Sequence, residues 1–96
     1  MFNGKSVFKL SDNILKRFET SIDDGVMFLF NVDTNEVWSG SFTTKYLINS
    51  LDGRKTLDEV YQELFLIFEG VEFNDIVESY NSIVVDLLDK NFIESV

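Results

Sequence analysis

The chain has 96 residues, 45% of them apolar, a net charge of −9, and no histidine, cysteine or proline. That suffices for one small domain with a core, read here as spanning 1–96. Without His or Cys the usual neutral-pH base, the thiolate nucleophile and soft metal sites are missing, so no enzyme, metal or cofactor is expected.

Residues 2–10 alternate loosely, and Val7, Phe8 and Leu10 suit a first strand. The stretch Ile14 to Ile22 suits a helical turn or an extended arm equally, and Asp23-Asp24-Gly25 is a turn signal. VMFLFNV, 26–32, is a short unbroken apolar run that reads as a strand covered on both faces or nearly so. Asp33-Thr34-Asn35 then turns the chain into a short strand, Glu36-Val37-Trp38-Ser39, that stops at Gly40. Successive strand side chains point to opposite faces, so one of Val37 and Trp38 looks at the core and the other away from it.

From residue 41 the apolar period becomes helical. Ser41 or Thr43 can cap a helix through Tyr46, Leu47, Ile48 and Leu51, with Asp52-Gly53-Arg54 as the connecting turn. Thr56-Leu57-Asp58-Glu59 is a capping box, and Leu57, Val60, Tyr61, Leu64, Phe65 and Phe68 form the stripe of the helix it opens, which Gly70 ends. A third helix starts at Asn74 or Asp75 and runs to about Lys90, with Asn91 as its stop. Ile76, Tyr80, Ile83, Val84 and Leu87 make one apolar face, and Val77 and Leu88 widen it beyond what a surface helix needs. Either the helix packs on two neighbours, or its edge lines a groove. The layout is α+β, strands followed by three helices.

Charge is unevenly placed. Residues 1–55 hold seven acidic and seven basic residues, whereas 56–96 hold ten acidic residues and Lys90 alone. Such a surface keeps a protein in solution and repels nucleic acid and anionic lipid. No run of about 18 apolar residues exists, and MFNGKSVFKLSD lacks the pattern of a signal peptide. The expected compartment is the cytoplasm, with no membrane partner. The five glycines are scattered, so no phosphate loop exists, and Asp33-x-Asn35 lacks the later ligands of a calcium loop. A hairpin with three helices is also the layout of a winged helix-turn-helix. Its candidate DNA-reading helix carries Asp75, Glu78, Asp86 and Asp89 against Lys90, which a phosphate backbone would repel.

The order of these elements, together with Asp52-Gly53-Arg54-x-Thr56 and the closing Asn91-Phe92-Ile93, resembles the PqqD-like peptide chaperones, also called RiPP recognition elements. The likeness covers about 22–95. It implies a winged helix-turn-helix-like fold, a three-stranded antiparallel sheet followed by three helices. It further implies a non-catalytic chaperone that binds the leader of a ribosomally made precursor peptide. The leader adds a strand to the third strand's edge, beside the third helix, and is presented to a peptide-modifying enzyme, a radical SAM enzyme being one such class. The matching positions are Glu36, Val37, Trp38, Ser39 and Gly40 on the strand, and Asp75, Ile76, Ser79, Tyr80 and Ile83 on the helix. Asp75 and Glu78 can attract Lys or Arg of a leader. The chain departs from the family at Gly40-Ser41, where many members have Leu-Asn, at Ser79, where an acidic residue is common, and at Asn91, where many have Gly. In this reading Trp38 either stands beside the incoming peptide or simply caps the core. A monomer or weak dimer is expected. The rival readings are a winged-helix DNA-binding regulator and an accessory subunit of a larger enzyme that never touches a leader.

Overall fold

The computed structural model describes residues 2–22 and 24–96. Six strands and three helices follow one another: β1 (Val7–Leu10), β2 (Ile14–Glu19), β3 (Val26–Asn31), β4 (Val37–Ser41), α1 (Phe42–Ser50), β5 (Asp52–Thr56), α2 (Leu57–Ile67), α3 (Phe73–Asp89) and β6 (Ile93–Ser95). The α+β class holds, and a three-stranded antiparallel sheet with three helices is present. The expected order, all strands before all helices, does not hold. There are two three-stranded antiparallel sheets, β2-β3-β4 and β5-β1-β6, and β5 and β6 come after helices.

The second sheet was hidden for a physical reason. Asp52-Gly53-Arg54-Lys55-Thr56 has no apolar alternation, so it reads as a turn, yet it pairs with β1 from Val7↔Thr56 to Lys9↔Asp52. The Asp52 carboxylate accepts from the amides of Arg54 and Lys55, and Gly53 takes φ +79°, so a turn-like start is built into the strand. The first helix accordingly ends at Ser50, before Leu51. The Ile14–Ile22 ambiguity resolves to a strand, Ile14–Glu19. In the Asp23-Asp24-Gly25 turn, Asp23 lies outside the described residues, while Gly25 has φ +119° and its amide donates to the Ile22 carbonyl.

The signals for the start of α2 and the end of α3 hold, whereas Ser41 precedes α1 without a side-chain cap bond and α3 starts at Phe73, after Glu72, rather than at Asn74 or Asp75. Thr56 and Glu59 form the reciprocal capping box, with the Thr56 hydroxyl accepting from the Glu59 amide and the Glu59 carboxylate accepting from the Thr56 amide. At the end of α3, Asn91 takes φ +61°, its amide donates to the Leu88 carbonyl, and the Phe92 amide donates to that of Leu87. This pair of bonds is the Schellman stop, with Asn in the left-handed role usually given to Gly. It drops Phe92 into the core and sends Ile93 into β6 against Leu10.

The core lies between the two sheets and the helices. Met27, Leu29 and Trp38 from the β2-β3-β4 sheet meet Leu47 and Ile48 of α1, Val60 and Leu64 of α2, and Tyr80, Val84 and Leu87 of α3. Burial along β3 alternates, with Met27, Leu29 and Asn31 buried and Val26, Phe28 and Phe30 half-buried. The expectation of a strand covered on both faces, or nearly so, is met in its weaker form. One face is sealed by the helices, and the other, equally apolar, is partly open. The breadth of α3 has both of its anticipated causes: Val84 and Leu87 pack inward, while Ile83 at the edge is half-buried.

Candidate functional site

The hairpin between β3 and β4 decides which backbone groups are free. Asn35 takes φ +64°. Its amide donates to the Asn31 carbonyl, and the Asn31 amide donates to the Glu36 carbonyl, so two residues oppose one in a bulge. The bulge absorbs Glu36, and β4 runs Val37–Ser41 rather than Glu36–Ser39, continuing through Gly40. The Asn31 side chain organises the turn, its Oδ1 accepting from the amides of Asp33 and Thr34 and from Asn13 Nδ2.

Bonded and non-bonded pairs alternate in an antiparallel ladder. With Asn31 and Glu36 bonded, Trp38 and Gly40 bond to β3 across from Leu29 and Met27. Val37 and Ser39 therefore turn their N–H and C=O groups to the far side of β4. That side is a sheet edge among the described residues.

The side chains divide as the alternation requires. Trp38 is 8% exposed and faces the core, whereas Val37 is 60% exposed on the outer face. The adjacency of these two residues thus marks the two faces of one edge strand. Gly40 shares the core face with Trp38. A Cβ there would lie 2.7 Å from Thr44 Oγ1 and 2.7 Å from Trp38 Cη2, so the indole lies over a position only hydrogen can fill.

Helix α3 is tied to Trp38 of β4 and to the first turn of α1. The Trp38 indole N–H donates to Asp86 Oδ2 at 2.8 Å, and the Tyr80 hydroxyl donates to the Thr43 carbonyl at 2.9 Å. Between α3 and the start of α1 lies a groove of about 210 Å³ lined by Thr43, Phe68, Val71, Ile76, Ser79, Tyr80 and Ile83. It brings together four of the five helix residues named from the sequence. The fifth, Asp75, is exposed in the first turn of α3 and is not part of the lining, and Glu78 is exposed as well. Glu36 is exposed at the foot of β4. Sequence reading missed Thr43, Phe68 and Val71 as lining. Phe68 was visible only as the last member of an apolar stripe and Thr43 only as a candidate helix cap, and Val71 gave no signal.

Burial pushes the Tyr80 hydroxyl up to about 12, so it remains a donor throughout the ordinary pH range. Asp86 is held below its ordinary value, first by the indole N–H and then by Lys90, whose ammonium lies 3.0 Å from Asp86 Oδ1. Because the folded state lowers this pKa, the stabilisation is complete above the unfolded aspartate value of about 4 and is lost as pH falls through the lowered value. Trp38 emission is therefore expected to hold steady near neutrality and to change in acid. Asp86→Asn should abolish that acid step in a fluorescence titration; a step of unchanged size would show that another carboxylate causes it.

A larger concavity, about 590 Å³, opens on the outer face of the β2-β3-β4 sheet over Leu15, Phe28, Phe30 and Val37. Its charged rim includes Arg17 and Glu19, which pair at 3.0 Å. The groove against α3 is smaller, but it is the one that gathers helix residues named from the sequence.

No family model matches the chain, and neither a curated protein nor a solved structure with significant similarity was found.

Proposed function

We propose that this chain is a non-catalytic peptide-binding chaperone. It takes an extended segment as an added strand on β4 and presents it to a modifying enzyme, as the PqqD-like peptide chaperones do. Two observations support this reading: the open β4 edge, and a groove lined by Ile76, Ser79, Tyr80 and Ile83 together with Thr43, at the start of the helix that follows β4, although no β4 residue lines the groove itself. Main-chain bonds to Val37 and Ser39 would supply affinity, and the groove would select side chains. On this reading the ligand is the leader of a ribosomally made precursor, the β2-β3-β4 sheet and the helices form the winged-helix-like frame, and Trp38 supports the strand from beneath. The acidic exposed face of α3 argues against the DNA-reading alternative, because its lone cation, Lys90, is already paired with Asp86.

The test is titration of synthetic leader segments, taken from short reading frames neighbouring the gene, against Trp38 emission and calorimetric heat. Saturation at micromolar peptide, about −8 kcal/mol, is expected, with loss of the signal for a scrambled sequence. Ile83→Glu, at the rim of the groove, should weaken binding about tenfold or more while the melting transition stays cooperative. Absence of both fluorescence change and heat across all such segments would reject the reading.

A further inference from the structure

We propose that, when no other strand occupies it, the β4 edge pairs with the β4 edge of a second copy of this chain, antiparallel about a two-fold axis at Ser39. The proposal needs only the open edge and does not rest on the peptide-binding reading.

The two edges of the β2-β3-β4 sheet are unlike. Strand β2 carries Lys16, Arg17 and Glu19, the charged protection that keeps sheet edges from pairing. Strand β4 reads Val-Trp-Ser-Gly-Ser, with no charge and no proline. Its outward-bonding positions are Val37 and Ser39, and Ser41 follows at the same spacing. A two-fold axis at Ser39 sets that residue against its own copy, each donating its N–H to the other's C=O, and sets Val37 against the second copy's Ser41. The Ser41 carbonyl already accepts from the Thr44 hydroxyl at 2.7 Å and from the first turn of α1, which Ser41 caps, so at this pair the Ser41 N–H alone bonds, donating to the Val37 carbonyl. Along the strand no like charges face each other in this register.

The charge map favours the same approach. Residues 56–96 hold the whole net charge, whereas residues 1–55, which include β4, are balanced. Near the seam, Asp86 is offset by Lys90, and on the outer face Arg17 by Glu19. Two copies that meet sheet to sheet therefore bring their balanced halves together at the strands, with the acidic α3, tied to Trp38 through Asp86, flanking the seam. The seam is short. Five residues of strand span about 17 Å, and such a contact falls below the roughly 1,200 Å² of a standard stable interface. The pairing is consequently weak and exchangeable, and a strand that fits the groove displaces it.

Sedimentation velocity of the full chain, from about 20 µM to about 1 mM at an ionic strength near 0.15 M, tests this. The wild type is expected to move from monomer towards dimer across that range. Ser39 is exposed, so Ser39→Lys and Ser39→Glu should each fold, as unchanged melting would show, and each should stay monomeric because the axis opposes two like charges. An equimolar mixture of the two variants should associate again, since the axis then pairs Lys with Glu. A wild type that stays monomeric at the highest concentration overturns the proposal. So does a dimer that survives Ser39→Lys, or a mixture that stays monomeric. Peptide binding measured by titration would stand or fall separately.

Discussion

Trp38→Ala is expected to destabilise the fold by about 3–5 kcal/mol, the range for removing a large buried aromatic side chain. Were Trp38 beside an incoming peptide, as one reading of the sequence has it, this substitution would weaken ligand binding and leave the domain folded. The structure changes that expectation, because the indole is 8% exposed and sits on the core side of β4. Truncation would open a cavity over Gly40 and unpin α3 at Asp86. A domain of this size holds only about 5–15 kcal/mol in total, so much of the margin would go. Denaturant unfolding followed by circular dichroism measures it. Trp38→Phe separates the two roles of the ring, since it keeps the apolar cover and removes only the N–H. A loss of about 1–2 kcal/mol is expected there. A Trp38→Ala protein as stable as the wild type would contradict the packing described.

Phe92→Ala is expected to cost a similar 3–5 kcal/mol. Phe92 is 1% exposed and is the first residue after the left-handed turn at Asn91. Its amide closes the α3 stop on Leu87, and its carbonyl accepts from the Ser11 amide. The ring therefore anchors both the end of α3 and the entry to β6. Thermal unfolding should shift downward by well over ten degrees, given about 4–8 °C per kcal/mol for a domain of this length. A shift of only a degree or two would mean that the site collapses around the missing ring.

These two residues show how far the sequence could be read. Phe92 and Ile93 helped to suggest a family, yet each has a sufficient packing reason, as a core plug and as a strand residue against Leu10. Helix α2 was legible from Thr56, Glu59 and its apolar stripe because those signals are local. The stop at Asn91 was legible for the same reason. Strand β5 was not, because its partner is Val7–Leu10, more than 40 residues away in the chain, and nothing within Asp52–Thr56 encodes that pairing. The groove was half legible. Ile76, Ser79, Tyr80 and Ile83 follow helical spacing, but Thr43, Phe68 and Val71 join them only through the tertiary approach of α1 and the end of α2 to α3. Which of Val37 and Trp38 faces inward turned on the bulge at Asn35, a single left-handed residue that sets the register of everything after it.

The central position of β3 has one more consequence. At the end of β3 the Asn31 amide donates to Glu36 and that of Val32, the next residue, to Asn13, so neighbouring residues bond to opposite sides. Strand β4 inherits the same rhythm, with the amides of Trp38 and Gly40 locked against β3 and those of Val37 and Ser39 open to water. Deuterium therefore enters β4 at every second position while its edge is bare. Whatever strand comes to lie against it, foreign or its own copy, closes the alternate positions and turns a two-beat exchange pattern into uniform protection. The backbone thus carries its own record of occupancy, written in hydrogen isotopes and independent of any side chain.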